Sequence, residues 1–295
     1  MTAMLRTMFM HKAAKLVASL AFALVITPLA HSQANDLSRN MNQPVAPFHI
    51  IGNIYYVGAS DITSYLIVTP AGDILLDGGF VETAPQIEAN IKTLGFKLGD
   101  VKFLLNSHAH LDHAGGITEL RKLTGAKFVA MEGDVAALTA GTSFPATAPD
   151  RVIHDGDTVT LGGVTMTAHL TPGHTQGCTT WTMATQDGGK TYNVVFVGSA
   201  TVLPQYKLID RPGAPATYPG IEADYERTFR VLKSLPCDVF LGAHGSFWSM
   251  SDKRQVMARN PAQNPFIDPW GFQAYIIQAE GAFQTELQKE RAQAN

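Results

Sequence analysis

From Asn53 onward the chain repeats short apolar runs broken by glycine, proline and polar clusters. "NIYYVG" and "SYLIVTP" are rich in aromatic and β-branched residues and predict two strands. After the turn "AGD", "ILLDGG" predicts a third. In "TAPQIEANIKTLG" the apolar residues Ile87, Ile91 and Leu94 fall at helical spacing, and Gly95 is a natural stop. "VKFLLNSH" predicts a buried strand, "GITELRKLTG" a helix ended by Gly125, "AKFVAM" a strand and "EGDVAALTAG" a short helix. "GTSFPATAPD", residues 141–150, carries two prolines and predicts a loop. A strand-rich half follows in "TVTLGG", "VTMTAHLTPG", "CTTWTMAT" and "YNVVFVG". "GIEADYERTFRVLKSLP" then predicts a helix, "CDVFLGAHG" a strand, and "PWGFQAYIIQAEGAFQTELQKERAQ" a long C-terminal helix. Strands and helices alternate through both halves without a Pro/Gly/Ser linker. That pattern predicts one α/β domain with helices over the outer faces of stacked sheets.

Composition changes this picture only at the start. The chain has 295 residues, 45% of them hydrophobic, and a formal net charge of −3. Nothing in that balance favours nucleic acid or an anionic membrane as partner. The first segment carries Arg6, Lys12 and Lys15, and an uncharged run from Leu16 to Ala30 follows. Ser32 and Ala34 then stand at −3 and −1 of a cleavage point after Ala34. This is the layout of a secretory signal peptide, with an apolar run short of the ~20 residues that span a bilayer. The expectation is a leader over residues 1–34 and an exported, periplasmic domain over 35–295, with no stable membrane association after cleavage. Export permits a disulfide, but Cys178 and Cys237 serve equally well as two buried thiols.

The densest chemistry lies in "NSHAHLDHAGG", Asn106 to Gly116. In an extended segment residues i and i+2 point to one side, so His108 and His110 face a common point at the end of a strand. At the following turn Asp112 and His113 can aim at a second point, with the helix beginning near Gly115. Imidazole beside carboxylate suits zinc. Gly115 and Gly116 let backbone pass close by without a Cβ clash. A metal site needs further donors, and two later histidines end apolar strands at glycine-containing loops: His174 in "HLTPGHTQG" and His244 in "VFLGAHGSF". His49, His154 and His169 have blander surroundings and are expected to be structural or surface residues.

"HAHLDH", "PGHTQG" and "GAHG", in that order and spacing, resemble the metallo-β-lactamase superfamily over essentially the whole chain after the leader. The resemblance implies a four-layer αβ/βα sandwich with two zinc ions at one edge. It places His108, His110 and His174 on the first ion and Asp112, His113 and His244 on the second. Many members have a bridging aspartate between the last two motifs, and one β-lactamase subclass has a cysteine there. This chain has "VVFVGSAT", with Ser199 at that point. Together with "YERTFRVLKSLPCDVFLGAHG", this resembles the third subclass of metallo-β-lactamases, whose second zinc is held by Asp, His and His. The implied function is zinc-dependent hydrolysis of β-lactams (penicillins, cephalosporins, carbapenems) by a monomer, with Asp112 orienting the attacking hydroxide. Ser199 and Thr201 are expected to receive the substrate carboxylate, with Lys207 as the nearest assisting cation. The Gly141–Asp150 loop, with Phe144, either lies over a bound molecule or simply connects. Competing readings are a hydrolase of the same fold acting on a lactone, thioester or phosphodiester, and a zinc-binding accessory protein without catalysis.

Overall fold

Two twisted sheets pack face to face in the computed structural model, which describes residues 40–294. The expected leader, residues 1–34, lies outside the described residues. The first sheet has seven strands in chain order: β1 (Phe48–Ile51), β2 (Ile54–Tyr56), β3 (Tyr65–Thr69), β4 (Gly72–Leu76), β5 (Val101–Leu105), β6 (Lys127–Met131) and β7 (Arg151–Ile153). It is antiparallel as far as β4 and parallel beyond. The second has β8 (Thr158–Leu161), β9 (Val164–Leu170), β10 (Thr179–Asp187), β11 (Lys190–Val197) and β12 (Val239–Gly242). Its β10–β11 hairpin turns through Gly188 and Gly189, both at positive φ, as a two-residue turn between twisted strands requires.

Helices cover the outer faces. They are α1 (Ala84–Thr93), α2 (Leu111–Ala114), α3 (Ile117–Thr124), α4 (Val135–Ala140), α5 (Ile221–Ser234), α6 (Met250–Arg259) and α7 (Pro269–Ala294). The near-continuous apolar strands follow from burial on both sides. In β4, Ile74 and Leu76 enter the inter-sheet core while Leu75 faces the helices; in β6, Val129 and Met131 face inward while Phe128 and Ala130 face outward. The outer cluster of the first sheet takes Ile87 and Ile91 from α1 and Ile117 and Leu120 from α3. Tyr225, Phe229, Phe272 and Phe283 from α5 and α7 join the core of the second sheet. This is the expected four-layer α/β arrangement.

Three elements were not legible from the pattern. β1 and β7 are short, and β7 buries only Ile153. Helix α6 is largely polar and buries only Met250 and Lys253, so it shows no apolar stripe. Of the two readings of the Gly141–Asp150 loop, the structure favours the plain connection: Phe144 is buried in the outer cluster, and Arg121 clips the loop through Ala148 O and Asp150. Cys178 and Cys237 are both free thiols. Among the described residues no helix is long and apolar enough to cross a membrane.

Candidate metal centre

The C-terminal ends of five strands meet at one edge of the sandwich. β4 leads to Asp77, β5 to the 106–110 segment, β9 to His174, β11 to Ser199 and β12 to His244. After β5 the chain bends at Ser107, Ala109 and His110, His110 itself having extended dihedrals (φ −101°, ψ 156°), and Ala114 N then bonds His110 O. The turn expected after His110 is therefore the short helix α2, which carries both Asp112 and His113. Helix α3 begins at Ile117, just beyond the expected Gly115. The glycine pair is needed there. A Cβ on Gly116 would sit 2.2 Å from Gly78 O, and one on Gly115 2.4 Å from Leu111 O and 2.9 Å from Val81 N.

The six expected donors gather into two groups. His108, His110 and His174 form one; Asp112, His113 and His244 form the other. Within each group the candidate ligand atoms lie within 4.8 Å of one another. Outer hydrogen-bond partners hold His108, His174 and His244. His108 Nδ1 meets Ser107 Oγ at 3.0 Å, and its buried Nε2 has no partner. His174 Nδ1 donates to Thr201 O at 2.7 Å, which leaves Nε2 for a ligand role. Tyr206 OH donates to His174 O at 2.7 Å and lies 3.4 Å from His110 Nε2. His244 Nδ1 pairs with Asp61 Oδ2 at 3.0 Å, and Asp61 Oδ1 accepts Ser246 N. His113 Nδ1 lies 3.5 Å from Asp77 Oδ2. Asp77 also accepts Ser107 N and Asn106 Nδ2, from a left-handed backbone (φ 64°) that aspartate tolerates.

Charge separates the groups. Burial, aided by neighbouring imidazoles, holds His108 well below its usual value and pulls His110 to about 4 and His174 to about 3. Burial alone would lower His113 too, but the carboxylates of Asp112 and Asp77 outweigh it and lift the ring to about 10. Burial would raise Asp112, yet His113 and His244 keep it well below the usual carboxylate range. Three clustered neutral imidazoles, one of them with a buried and unpartnered Nε2 on His108, are costly unless something accepts their lone pairs. A divalent zinc ion fits that donor chemistry in both groups.

Ser199 is buried, and its Oγ accepts Thr201 N at 3.2 Å; Thr201 is exposed. Lys207 is half-buried on the same loop. His49 bonds Gly52 O, His169 bonds Thr182 Oγ1, and His154 lies at the surface near Glu132 and Asp157, all as expected. Beside His244, whose ring centroid is 5.0 Å from that of Phe247, a groove of about 320 Å³ is lined by Thr201, Val202, Ser246, Phe247, Tyr275 and Gln278 among others. Asp61, Asp77 and Tyr206 had no local sequence signal beyond the "LLDGG" strand end that carries Asp77.

The sequence profile of the Metallo-beta-lactamase superfamily matches residues 57–244. Among solved structures, the FEZ-1 metallo-beta-lactamase from Legionella gormanii is 46% identical with a TM-score of 0.81, over 85% of this chain and 98% of that one. BJP-1, a subclass B3 metallo-beta-lactamase of Bradyrhizobium japonicum, is 41% identical with a TM-score of 0.81, over 86% and 98%. Among curated proteins, a probable metallo-hydrolase of Burkholderia pseudomallei is 30% identical over 166 residues, so the chain spans 54% of that relative. Similarity also reaches a persulfide dioxygenase of Homo sapiens, 25% identical over 242 residues (73% of this chain, 83% of that one). A hydroxyacylglutathione hydrolase of Hyphomonas neptunium is 39% identical over 72 residues (24% and 25%).

Proposed function

The chain belongs to the metallo-beta-lactamase superfamily, and from that premise we propose that it hydrolyses the amide bond of β-lactam antibiotics with two zinc ions. His108, His110 and His174 hold one ion; Asp112, His113 and His244 hold the other. The observation that carries this reading is the second donor group, an Asp-His-His set with neither a thiolate nor a further carboxylate. The Cys178 thiol is buried and directed at Ser199 O, and Ser199 offers only a hydroxyl where a bridging carboxylate would stand. Near-complete coverage of FEZ-1 and BJP-1 supports the same substrate class.

Zinc supplies Lewis acidity and activates water at neutral pH. The chain supplies the rest. Ionised Asp112 would hold the second ion and accept a hydrogen bond from the attacking hydroxide, which orients it. Thr201, exposed beside the centre, offers its hydroxyl to the substrate carboxylate, with Ser199 fixing the backbone beneath it through the Thr201 N bond. Lys207 stands on the same loop as a source of positive charge. Ring substituents extend along the groove beside Phe247.

The deciding experiment is hydrolysis of a carbapenem by the zinc-loaded protein, with and without a chelator. Turnover abolished by the chelator and restored by zinc is expected. A folded, zinc-loaded protein that leaves carbapenem, penicillin and cephalosporin intact overturns the reading. A thioester substrate is then the second choice, since the hydroxyacylglutathione hydrolase similarity favours it.

Metal loading should also be asymmetric in protons. Above pH ~5 the first group is already neutral, so zinc displaces no proton there. His113 is protonated at pH 7 and must lose that proton to bind. At pH ~6, below the range in which zinc-bound water ionises, calorimetry in buffers of different ionisation enthalpy should show about one proton released with the second equivalent and none with the first. The apparent affinity of that step should rise about tenfold per pH unit as pH approaches ~7, because His113 is held protonated by Asp112 and Asp77. Proton release with the first equivalent instead would contradict the assignment.

A further inference from the structure

The first donor group is split between two loops that belong to different sheets. His108 and His110 follow β5 of the first sheet, and His174 follows β9 of the second. Neither strand ladder fixes the spacing between those loops. A carboxylate from a third element touches both. Asp134 ends the 3-10 turn Glu132–Asp134 after β6 and is 3% exposed. Its Oδ2 accepts Ala109 N at 2.8 Å, between His108 and His110, and also Thr175 Oγ1 at 2.9 Å, next to His174. Its Oδ1 accepts Gly177 N at 2.8 Å.

The close approach is built in on both sides. A Cβ on Gly133 would lie 2.4 Å from Gln176 O, and one on Gly177 would lie 2.4 Å from Asp134 N. Two glycines face each other so that the turn and the His174 loop can touch. In the hydrogen bonds above, Asp134 meets backbone and Thr175, not an imidazole. Its effect on the histidines therefore runs through the loops that carry them.

We propose that Asp134 is the positioning residue of the first donor group: it sets the distance between the His108–His110 segment and His174, and so tunes metal affinity there and not at Asp112, His113 and His244. The inference rests on the metal reading of these residues and is independent of the substrate.

The test is zinc titration of the full-length, metal-free protein, followed through the histidine ring signals by NMR. Those signals assign each binding step to its own group of rings. Asp134→Asn keeps the shape but turns an amide N–H₂ toward N–H and O–H donors. Thr175→Val removes one of the three bonds and keeps the carboxylate. For Asp134→Asn we expect first-group affinity to fall about 10- to 100-fold with the second group within about twofold of wild type. Thr175→Val should fall between the two, by about 3-fold or more. The cobalt-loaded Asp134→Asn protein should show an altered ligand-field spectrum for the first ion only. Unchanged first-group affinity in folded Asp134→Asn overturns the proposal, and so does an equal loss at both groups, which marks a merely structural residue. Should Asp134→Asn fail to fold, Thr175→Val decides, and wild-type affinity in it overturns the proposal. A wild-type protein that binds no zinc at His108, His110 and His174 would instead remove the metal reading itself.

Discussion

Replacing Asp112 by asparagine is expected to lower kcat/KM for a carbapenem by about 10²- to 10³-fold while the protein stays folded. The side chain sits on a one-turn helix with 20% of its surface exposed, so the substitution leaves no cavity and breaks no packing. What it removes is charge. Asp112 Oδ2 lies 3.3 Å from His113 Nε2 and 3.5 Å from His244 Nε2, and it is the only anion in its donor group. Without it the second group would offer neutral donors alone, and the attacking hydroxide would lose the carboxylate that orients it. The His113 ring loses its main charge partner as well, so its value should fall from about 10 toward the ordinary imidazole range. Two readouts separate the effects. Rates at saturating zinc report the lost orienting carboxylate, and NMR titration of His113 in the metal-free protein reports the lost partner. Activity within tenfold of wild type, with zinc at both groups, would remove Asp112 from the chemistry.

The six donors were legible because their positions follow from local rules. The i, i+2 spacing after a strand pairs His108 with His110, a glycine pair marks the turn, and apolar strands ending in glycine-containing loops mark His174 and His244. The residues that hold those donors were not legible, because their partners are remote in sequence. Asp77 reaches Asn106 across 29 residues, and Asp61 reaches His244 across 183. Only the stacking of two sheets brings them together. The strands were read from apolar runs whose residues alternate between two cores, a signal that works for β3 to β6 and fails for β7, which has one buried residue. The prolines of the Gly141–Asp150 loop mark it as irregular, but they do not show that Phe144 faces the helices, where its ring is buried.

Trp181 ties the core to the centre, and its removal should produce the largest loss of stability. It lies on β10, fully buried, paired in register with Ala168 of β9 and Phe196 of β11. Its indole Nε1 donates to Asn106 O at 3.1 Å, just before the His108 segment, and Thr179 on the same strand donates to Ser107 O at 2.7 Å. Trp181→Ala should destabilise the metal-free protein by about 3–5 kcal/mol, from the lost burial and the cavity left between the sheets. Against a typical stability of ~5–15 kcal/mol, that is enough to leave the variant marginal at 37 °C. Trp181→Phe keeps most of the ring but leaves the Asn106 carbonyl without its indole donor, at a cost of about 1–3 kcal/mol. Urea denaturation of both variants without metal measures the two contributions separately. If Trp181→Ala and Trp181→Phe unfold at the same urea concentration, core packing around Trp181 contributes little and the single hydrogen bond to the metal loop is what the residue is kept for. If the alanine variant is the weaker by about 2 kcal/mol or more, the sandwich core itself carries the stability on which the edge-mounted donors depend.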